Sequence, residues 1–306
     1  MPPPFSAREV AAMSRETDAG AVTVVGLCKL LGVSRAGVYA ARQTATEEPK
    51  GALPATVRTG VPAGELLLAI RVVLKEHSSW GHRKVWATLR RQGTRVSRRR
   101  VAEVMKAHGE TQEAHAPRAD AARPRGHVVV PEPNRRFATD LTTVWTRRDG
   151  LVAVVLTVDS GCRSVLDVAA TKSQESGPVL ATVERALERA FGRPDQVPEG
   201  VELRSDHGPQ YTGQDAQDLA LRWNLVQTFA PVGRPTGNAL AERTIQTMKI
   251  ECLWPSEFDG VEDLQAALEA WRRSFNDERP HQALGWKTPS EVRSAKLGSS
   301  PTRAAA

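Results

Sequence analysis

The sequence predicts an α/β domain with a mixed five-stranded sheet and flanking helices, preceded by all-α segments. Three observations lead there. Strand-like apolar patterns cluster between residues 137 and 170 and then alternate with helical patterns as far as Glu242. Residues 65–108 carry helical spacing alone. The charge is also divided, since residues 1–135 hold 22 Lys and Arg against 12 Asp and Glu, while residues 136–306 hold 20 against 23. A basic half suits a polyanion such as nucleic acid, and the mildly acidic half is where carboxylates gather.

Length and composition narrow the possibilities. The 306 residues, 40% hydrophobic and 25% charged, can bury real cores and predict about two domains. Cys28, Cys162 and Cys252 lie far apart with no Cys-x-x-Cys pair, which argues against structural zinc or a disulfide framework and fits a reducing compartment. His77 and His82 lack an accompanying cysteine pair and read as helix-end and turn residues. No apolar run approaches the roughly 20 residues needed to span a bilayer, and the N-terminus lacks a basic-then-apolar leader, so no membrane is expected and the chain reads as cytoplasmic.

Taken in order, residues 1–20 read as a disordered N-terminus. In 21–45, Val25, Leu27, Leu30 and Leu31 recur at helical spacing, Gly32 can take a turn, and Ser34 can cap a second helix, giving a helix-turn-helix or a plain helical hairpin. Residues 43–63 are a Pro/Gly spacer. A helical DNA-binding domain is expected over 64–109. Its stripes are Leu67, Ile70, Val73 and Leu74, then Val85, Trp86 and Leu89, then Val101, Val104 and Met105, with breaks at Trp80-Gly81 and Gln92-Gly93. Ser97 can cap the third helix, which opens with Arg98, Arg99 and Arg100. Three cations in a first turn oppose the helix dipole, so these side chains are read as offered to phosphates or base edges. Residues 110–134, rich in Ala, Pro and Arg, form a linker that can order on DNA.

The α/β domain is expected over 135–295, with a disordered tail at 296–306. Strands are predicted at 137–145, 151–159 and 164–170, the first two joined by a turn at Arg147-Arg148-Asp149-Gly150. A helix follows over 177–191, a strand at 201–204, a helix near 215–223, a strand at 226–229 and a helix carrying Glu242. Strands first and then alternating strand and helix is the order of the ribonuclease-H-like fold. It places Asp140 inside the first strand, Asp206 just past a later strand and Glu242 on a helix. Asp159 ends an apolar strand and is read as paired with Arg163 across a turn. Gly208, Tyr211 and Asn238 are read as scaffold beside the acids, and His207 as either a turn-packing residue or one that positions water or phosphate.

Three acids so placed suit phosphodiester chemistry. Charge develops on the attacking and leaving oxygens, and hard divalent cations, which prefer carboxylate oxygen, can stabilise both. The words Phe-Ala-Thr-Asp-Leu-Thr, Arg-Ser-Asp-His-Gly-Pro-Gln-Tyr and Gly-Asn-Ala-Leu-Ala-Glu-Arg, with 35 residues between Asp206 and Glu242, resemble the D,D,E signature of the transposase and retroviral-integrase superfamily. The stretches 28–39 and 80–91, and the segment from Phe275 to Gly285 followed by Thr288-Pro289, are similar to OrfB-type transposases of bacterial insertion sequences. The resemblance covers about 280 residues, with its motifs in order.

That resemblance implies an integrase catalytic core that cleaves DNA at the ends of an insertion sequence and joins the freed 3′-hydroxyl to a target. It implies two Mg²⁺ per site, with Mn²⁺ as a substitute. Asp140, Asp206 and Glu242 would be the metal ligands, Asp140 bridging both ions. Lys249, two turns after Glu242, would point a cation at the DNA end, with Arg83, Lys84, Arg98, Arg99, Arg100 and Arg35 as further DNA contacts. Implied partners are the terminal inverted repeats, target DNA and further copies of the chain assembled on DNA. An upstream-frame product is a further expected partner or fusion, because no heptad array precedes residue 21. The implied location is the bacterial nucleoid. A catalytically silent DNA-binding protein and a ribonuclease-H-like nuclease without joining activity are the alternative readings.

Overall fold

A computed structural model describes residues 61–111, 130–230 and 238–298, together with Cys28, Lys29, Leu31, Val33, Ser34 and Val38. Most of the helix-turn-helix candidate at 21–45, including Arg35, and most of the linker at 110–134 therefore lie outside the described residues. The chain divides into two compact units, residues 1–60 and 61–306.

Three helices open the second unit: α1 (Ala63–Glu76), α2 (His82–Arg91) and α3 (Arg98–Ala107). They close around Leu66, Ile70, Val73, Trp80, Val85, Leu89, Val101, Val104 and Met105. The first stripe is rotated from the sequence reading. Leu66 is fully buried and Leu67 only partly so, because Leu66, Ile70 and Val73 keep the four-and-three spacing that lines one helix face. His77 ends α1 stacked on Trp80, with ring centroids 3.7 Å apart, and His82 begins α2. Ser97 caps α3 as its position suggests, accepting the Arg100 N–H at 3.2 Å. With Arg98, Arg99 and Arg100 following it, this is the one side-chain cap on an otherwise ill-matched helix start. Ser97→Ala should therefore cost about 1 kcal/mol, read as a shift in the urea midpoint; an unmoved midpoint would show the cap to be dispensable.

The sheet comprises β1 (Arg136–Thr146), β2 (Gly150–Asp159), β3 (Val165–Thr171), β4 (Val201–Ser205) and β5 (Leu225–Phe229), in the order β3-β2-β1-β4-β5. The first three form an antiparallel meander, and β4 and β5 join in parallel on the other side of β1. Helices α4 (Ser176–Phe191), α5 (Pro209–Thr212), α6 (Gln214–Arg222), α7 (Ala239–Met248), α8 (Val261–Arg273) and α9 (Pro289–Gly298) complete the fold. Two cores result. On one face, α4, α5 and α6 cover Phe137, Val155 and Leu203. On the other, α7 and α8 cover Val152, Val154, Leu156 and Val158. A strand buried on both faces needs an unbroken apolar run, and β2 supplies it.

The segment after α8 fastens the parts together. Asn276 is buried and treats the edge of β3 as another strand would, accepting the Val165 N–H at 2.9 Å and donating to the Val165 carbonyl at 2.8 Å. Thr288 and Glu291 form a capping box at the start of α9: the Thr288 hydroxyl accepts the Glu291 N–H at 3.3 Å and Glu291 accepts the Thr288 N–H at 2.8 Å. The same carboxylate takes both guanidinium nitrogens of Arg91, at 2.6 and 2.7 Å, from the last turn of α2. Glu251, almost buried, receives Lys84 at 2.8 Å and Arg279 at 3.0 Å. The three-helix domain is thus docked on the core through paired charges.

Asp159 has the structural role expected of it but a different partner. It is wholly buried and pairs with Arg293 of α9 at 2.9 Å, not with Arg163, whose backbone N–H bonds to the Asp159 carbonyl instead. Its carboxylate also accepts the N–H groups of Asn134 at 2.8 Å and Gly161 at 2.7 Å. Gly161 must be glycine, since a Cβ there would collide with the backbone of Glu132 and Pro133. Among the described residues, no helix is long and apolar enough to cross a membrane.

Candidate active site

The sheet topology sets the position of the acids. β1 pairs with β4 in parallel from Arg136 opposite Glu202 to Ala138 opposite Arg204. The same register carried two residues on brings Asp140 level with Asp206, just past the end of β4. Here the strand order reverses, and the carboxyl ends of parallel strands at such a point part to leave a crevice. Glu242 lies on the first turn of α7, the helix packed on the sheet face that Ala138, two residues before Asp140, also lines. Asn238, immediately before α7, is buried and donates its amide Nδ2 to the Thr139 carbonyl at 2.9 Å, tying the start of that helix to the residue beside Asp140. Its own carbonyl accepts the Glu242 N–H at 3.1 Å.

Each carboxylate has a different setting. Asp140 accepts the Leu141 N–H at 2.8 Å. Burial raises its pKa to about 6; the charges of Asp206 and Glu242 push the same way, while the Leu141 N–H and the cation of Lys249 oppose. Glu242 is also raised, by burial. Asp206 is exposed and accepts the Gly208 N–H at 3.0 Å, which shapes the turn into α5. Tyr211 of α5 is buried beneath, with its hydroxyl 3.4 Å from the Thr139 hydroxyl. Desolvation drives the Tyr211 pKa upward, so the phenol stays protonated. The ring of His207 rests against Phe229, with centroids 5.2 Å apart, which is the packing role.

The three acids thus share one electrostatic neighbourhood, in which the cation of Lys249 opposes the other two carboxylates at Asp140. Among the described residues, no three His, Cys, Asp or Glu side chains are drawn into a ready-made ligand cluster. The donor set nevertheless suits a hard divalent ion, since it is all carboxylate oxygen and carries uncompensated negative charge.

The chain is similar in sequence to several known proteins. Models described as integrase core domain match residues 130–235 and 225–289, and one described as HTH-like domain matches 63–110. An uncharacterised protein of insertion element IS407 from Burkholderia multivorans is 27% identical, over 74% of this chain and 80% of its own. Transposase InsD of insertion element IS2 from Escherichia coli is 29% identical, over 74% of this chain and 77% of its own. The chain is thus similar to insertion-sequence transposases and to integrase core domains. A chain of the simian T-cell lymphotropic virus intasome in complex with PP2A regulatory subunit B56 gamma aligns over 78% of this chain and 76% of its own, at 18% identity and a TM-score of 0.47.

The HTH-like match falls on α1 to α3, the block read from sequence as a helical DNA-binding domain; 21–45, where a Gly-containing turn suggests the motif, lies outside that match. Its expected DNA contacts divide into two groups. Arg98, Arg99 and Arg100 are all exposed on the first turn of α3, Arg99 in a solvent-facing pair with Glu103 at 2.8 Å; such a pair is worth little and leaves the guanidinium available. Arg83 is exposed on α2. Lys84, its neighbour, is engaged otherwise: it lies 5.7 Å above the Trp80 ring, pairs with Glu251, and has its pKa lowered by burial.

Lys249 ends α7 and opens a π-helical turn, Lys249–Leu253. This widening of the helix is a feature often found at functional sites. It was invisible in the sequence, as was the nearness of Arg163 and Arg243, which line one cavity from the β2–β3 turn and α7. In the sequence one is an arginine in a tight turn and the other the residue next to Glu242, and neither stands out among 42 Lys and Arg.

Proposed function

We propose that this chain is a transposase that binds the ends of an insertion sequence, cleaves there and joins the freed 3′-hydroxyl to target DNA, with Asp140, Asp206 and Glu242 as its metal-binding acids. The observation that carries the reading is the parallel register that brings Asp140 beside Asp206, with Glu242 facing them from a helix tethered next to Asp140.

Asp140, Asp206 and Glu242 would hold two Mg²⁺ or Mn²⁺, Asp140 contributing to both. Bound there, the ions would supply Lewis-acid stabilisation of the charge that develops on the attacking and leaving oxygens. The chain's own contribution is orientation. The Leu141 N–H fixes the Asp140 carboxylate and the Gly208 N–H fixes that of Asp206. Asn238 holds the start of α7 against β1. Lys249 provides a cation for a phosphate brought to the acids, and Arg98, Arg99, Arg100 and Arg83 give the HTH-like domain a basic surface for duplex backbone. In the first step water replaces one bond of a phosphodiester and frees a 3′-hydroxyl. In the second, that hydroxyl attacks a target phosphodiester, so one P–O bond forms as another breaks. Joining two ends calls for several copies on the DNA, and an upstream-frame product would be a partner or fusion. The same DNA work places the protein at the nucleoid.

The test incubates purified protein with a labelled duplex, taken from the DNA flanking its gene, and an unlabelled target. Joined products are expected with Mg²⁺ or Mn²⁺ and none after chelation. Hydrolysis without joining would instead indicate a nuclease, and binding without nicking a catalytically silent DNA-binding protein.

A further inference from the structure

A cavity of about 360 Å³ lies between α2 and the core, lined by Arg83, Lys84, Arg163, Arg243, Arg279 and His281 among others. Lys84 and Arg279 are committed to Glu251. Arg83, Arg163 and Arg243 have no carboxylate within ion-pair distance among the described residues, although paired arginines are common elsewhere in this chain. Arg163 is half-buried and holds φ at +65°, a left-handed conformation that non-glycine residues rarely adopt. Burial and the nearby charge of Arg243 both lower its pKa. His281, at the same wall, is pushed down to about 3, first by burial and then by Arg279, and stays neutral. A strained backbone thus holds one guanidinium near another with no counter-ion among the described residues, an arrangement that an anion would complete.

The cavity is separate from the acids. Successive helical residues turn by about 100°, so Leu240, Arg243, Thr244 and Thr247 of α7 present one face to the cavity, roughly opposite the face of Glu242 and Lys249. We propose that this cleft is a second anion site that takes a backbone phosphate of DNA on the far side of α7 from the acids, with Arg163 and Arg243 as its ligands and Arg83 at its mouth. Guanidinium forks match phosphate oxygens in pairs. The cleft also runs between the HTH-like domain and the core, so DNA seated there would touch both. The inference rests on the DNA reading above and adds a contact for which the acids are not needed.

The experiment measures the affinity of the full chain for a short random-sequence duplex as a function of salt. Each neutralised phosphate contributes about 0.9 to the slope of log affinity against log salt. The double variant Arg163→Gln with Arg243→Gln should therefore lower the slope by about 1 at an unchanged melting temperature, whereas the double Lys variant should keep it. Glutamine at 163 adds no new backbone strain, since arginine already tolerates that φ. An unchanged slope in the Gln variant would overturn the proposal, as would an equal loss in the Lys variant, which would mark a packing role. Preferential binding of a poly-glutamate peptide, lost in the Gln variant, would overturn it in favour of an acidic protein partner. Failure of the wild type to bind duplex at all would sink the DNA reading itself.

Discussion

Asp140→Asn is expected to abolish strand joining and, in metal-free protein, to raise the melting temperature. Both effects have one origin. The folded state raises the Asp140 pKa from 3.8 to about 6, chiefly by desolvation. Between those values the folded chain binds more protons than the unfolded one, so stability falls as pH rises through this window and the full penalty persists above about pH 6. A shift of about two units corresponds to about 3 kcal/mol as an upper bound. Asparagine keeps the shape and can still accept the Leu141 N–H, but it has no charge to desolvate. The variant should accordingly gain stability over wild type at pH 8 and little at pH 4, where the wild-type carboxyl is itself largely protonated. Adding Mg²⁺ or Mn²⁺ should stabilise wild type and not the variant. Melting curves at the two pH values, with and without metal, check this. Equal stability at pH 8, or undiminished stabilisation by metal, would contradict the assignment.

Asp159→Ala should have the opposite sign and a comparable or larger size. Its carboxylate is wholly buried, accepts the Asn134 and Gly161 N–H groups, and pairs with Arg293, whose side chain is 18% exposed. Removing it leaves a poorly solvated guanidinium and two backbone donors without acceptors. The expected cost is about 3–5 kcal/mol, seen in the urea midpoint. Arg293→Ala should cost less, because the Asp159 carboxylate keeps its backbone donors. A loss below about 1 kcal/mol for Asp159→Ala would mean that water or a neighbour replaces the carboxylate.

What could be read from the sequence was whatever its local pattern encodes. Alternation and apolar runs gave β1, β2 and β3, and helical spacing gave α4 and α6, each to within a residue or two of the observed bounds. Asp140, Asp206 and Glu242 stood out because each sits in a distinctive word, the first inside a strand, the second just past one and the third at the start of a helix. Long-range partners were not legible. Asp159 was matched with Arg163 nearby because Arg293 is 134 residues away, and Lys84 was counted among the DNA contacts because its partner Glu251 is 167 residues on. Periodicity likewise does not reveal where α-helix widens to π-helix, as at Lys249–Leu253 and Ser274–Glu278. The choice between Leu66 and Leu67 on α1 depended on which face the neighbouring helices cover, which a single helix does not encode.

The pairing of β1 with β4 has a consequence for how the chain can change. Asp140 and Asp206 meet because two strands keep count from Arg136 and Glu202 onward, and successive strand residues point to opposite faces. One residue inserted or deleted between Ala138 and Asp140 would send that carboxylate to the wrong side of the sheet while leaving the cores at Phe137 and Leu203 intact. The loop between β1 and β2 is under no such count. Length, more than side-chain identity, is therefore the strict constraint on this strand: indels should gather beyond Thr146 and be absent before Asp140.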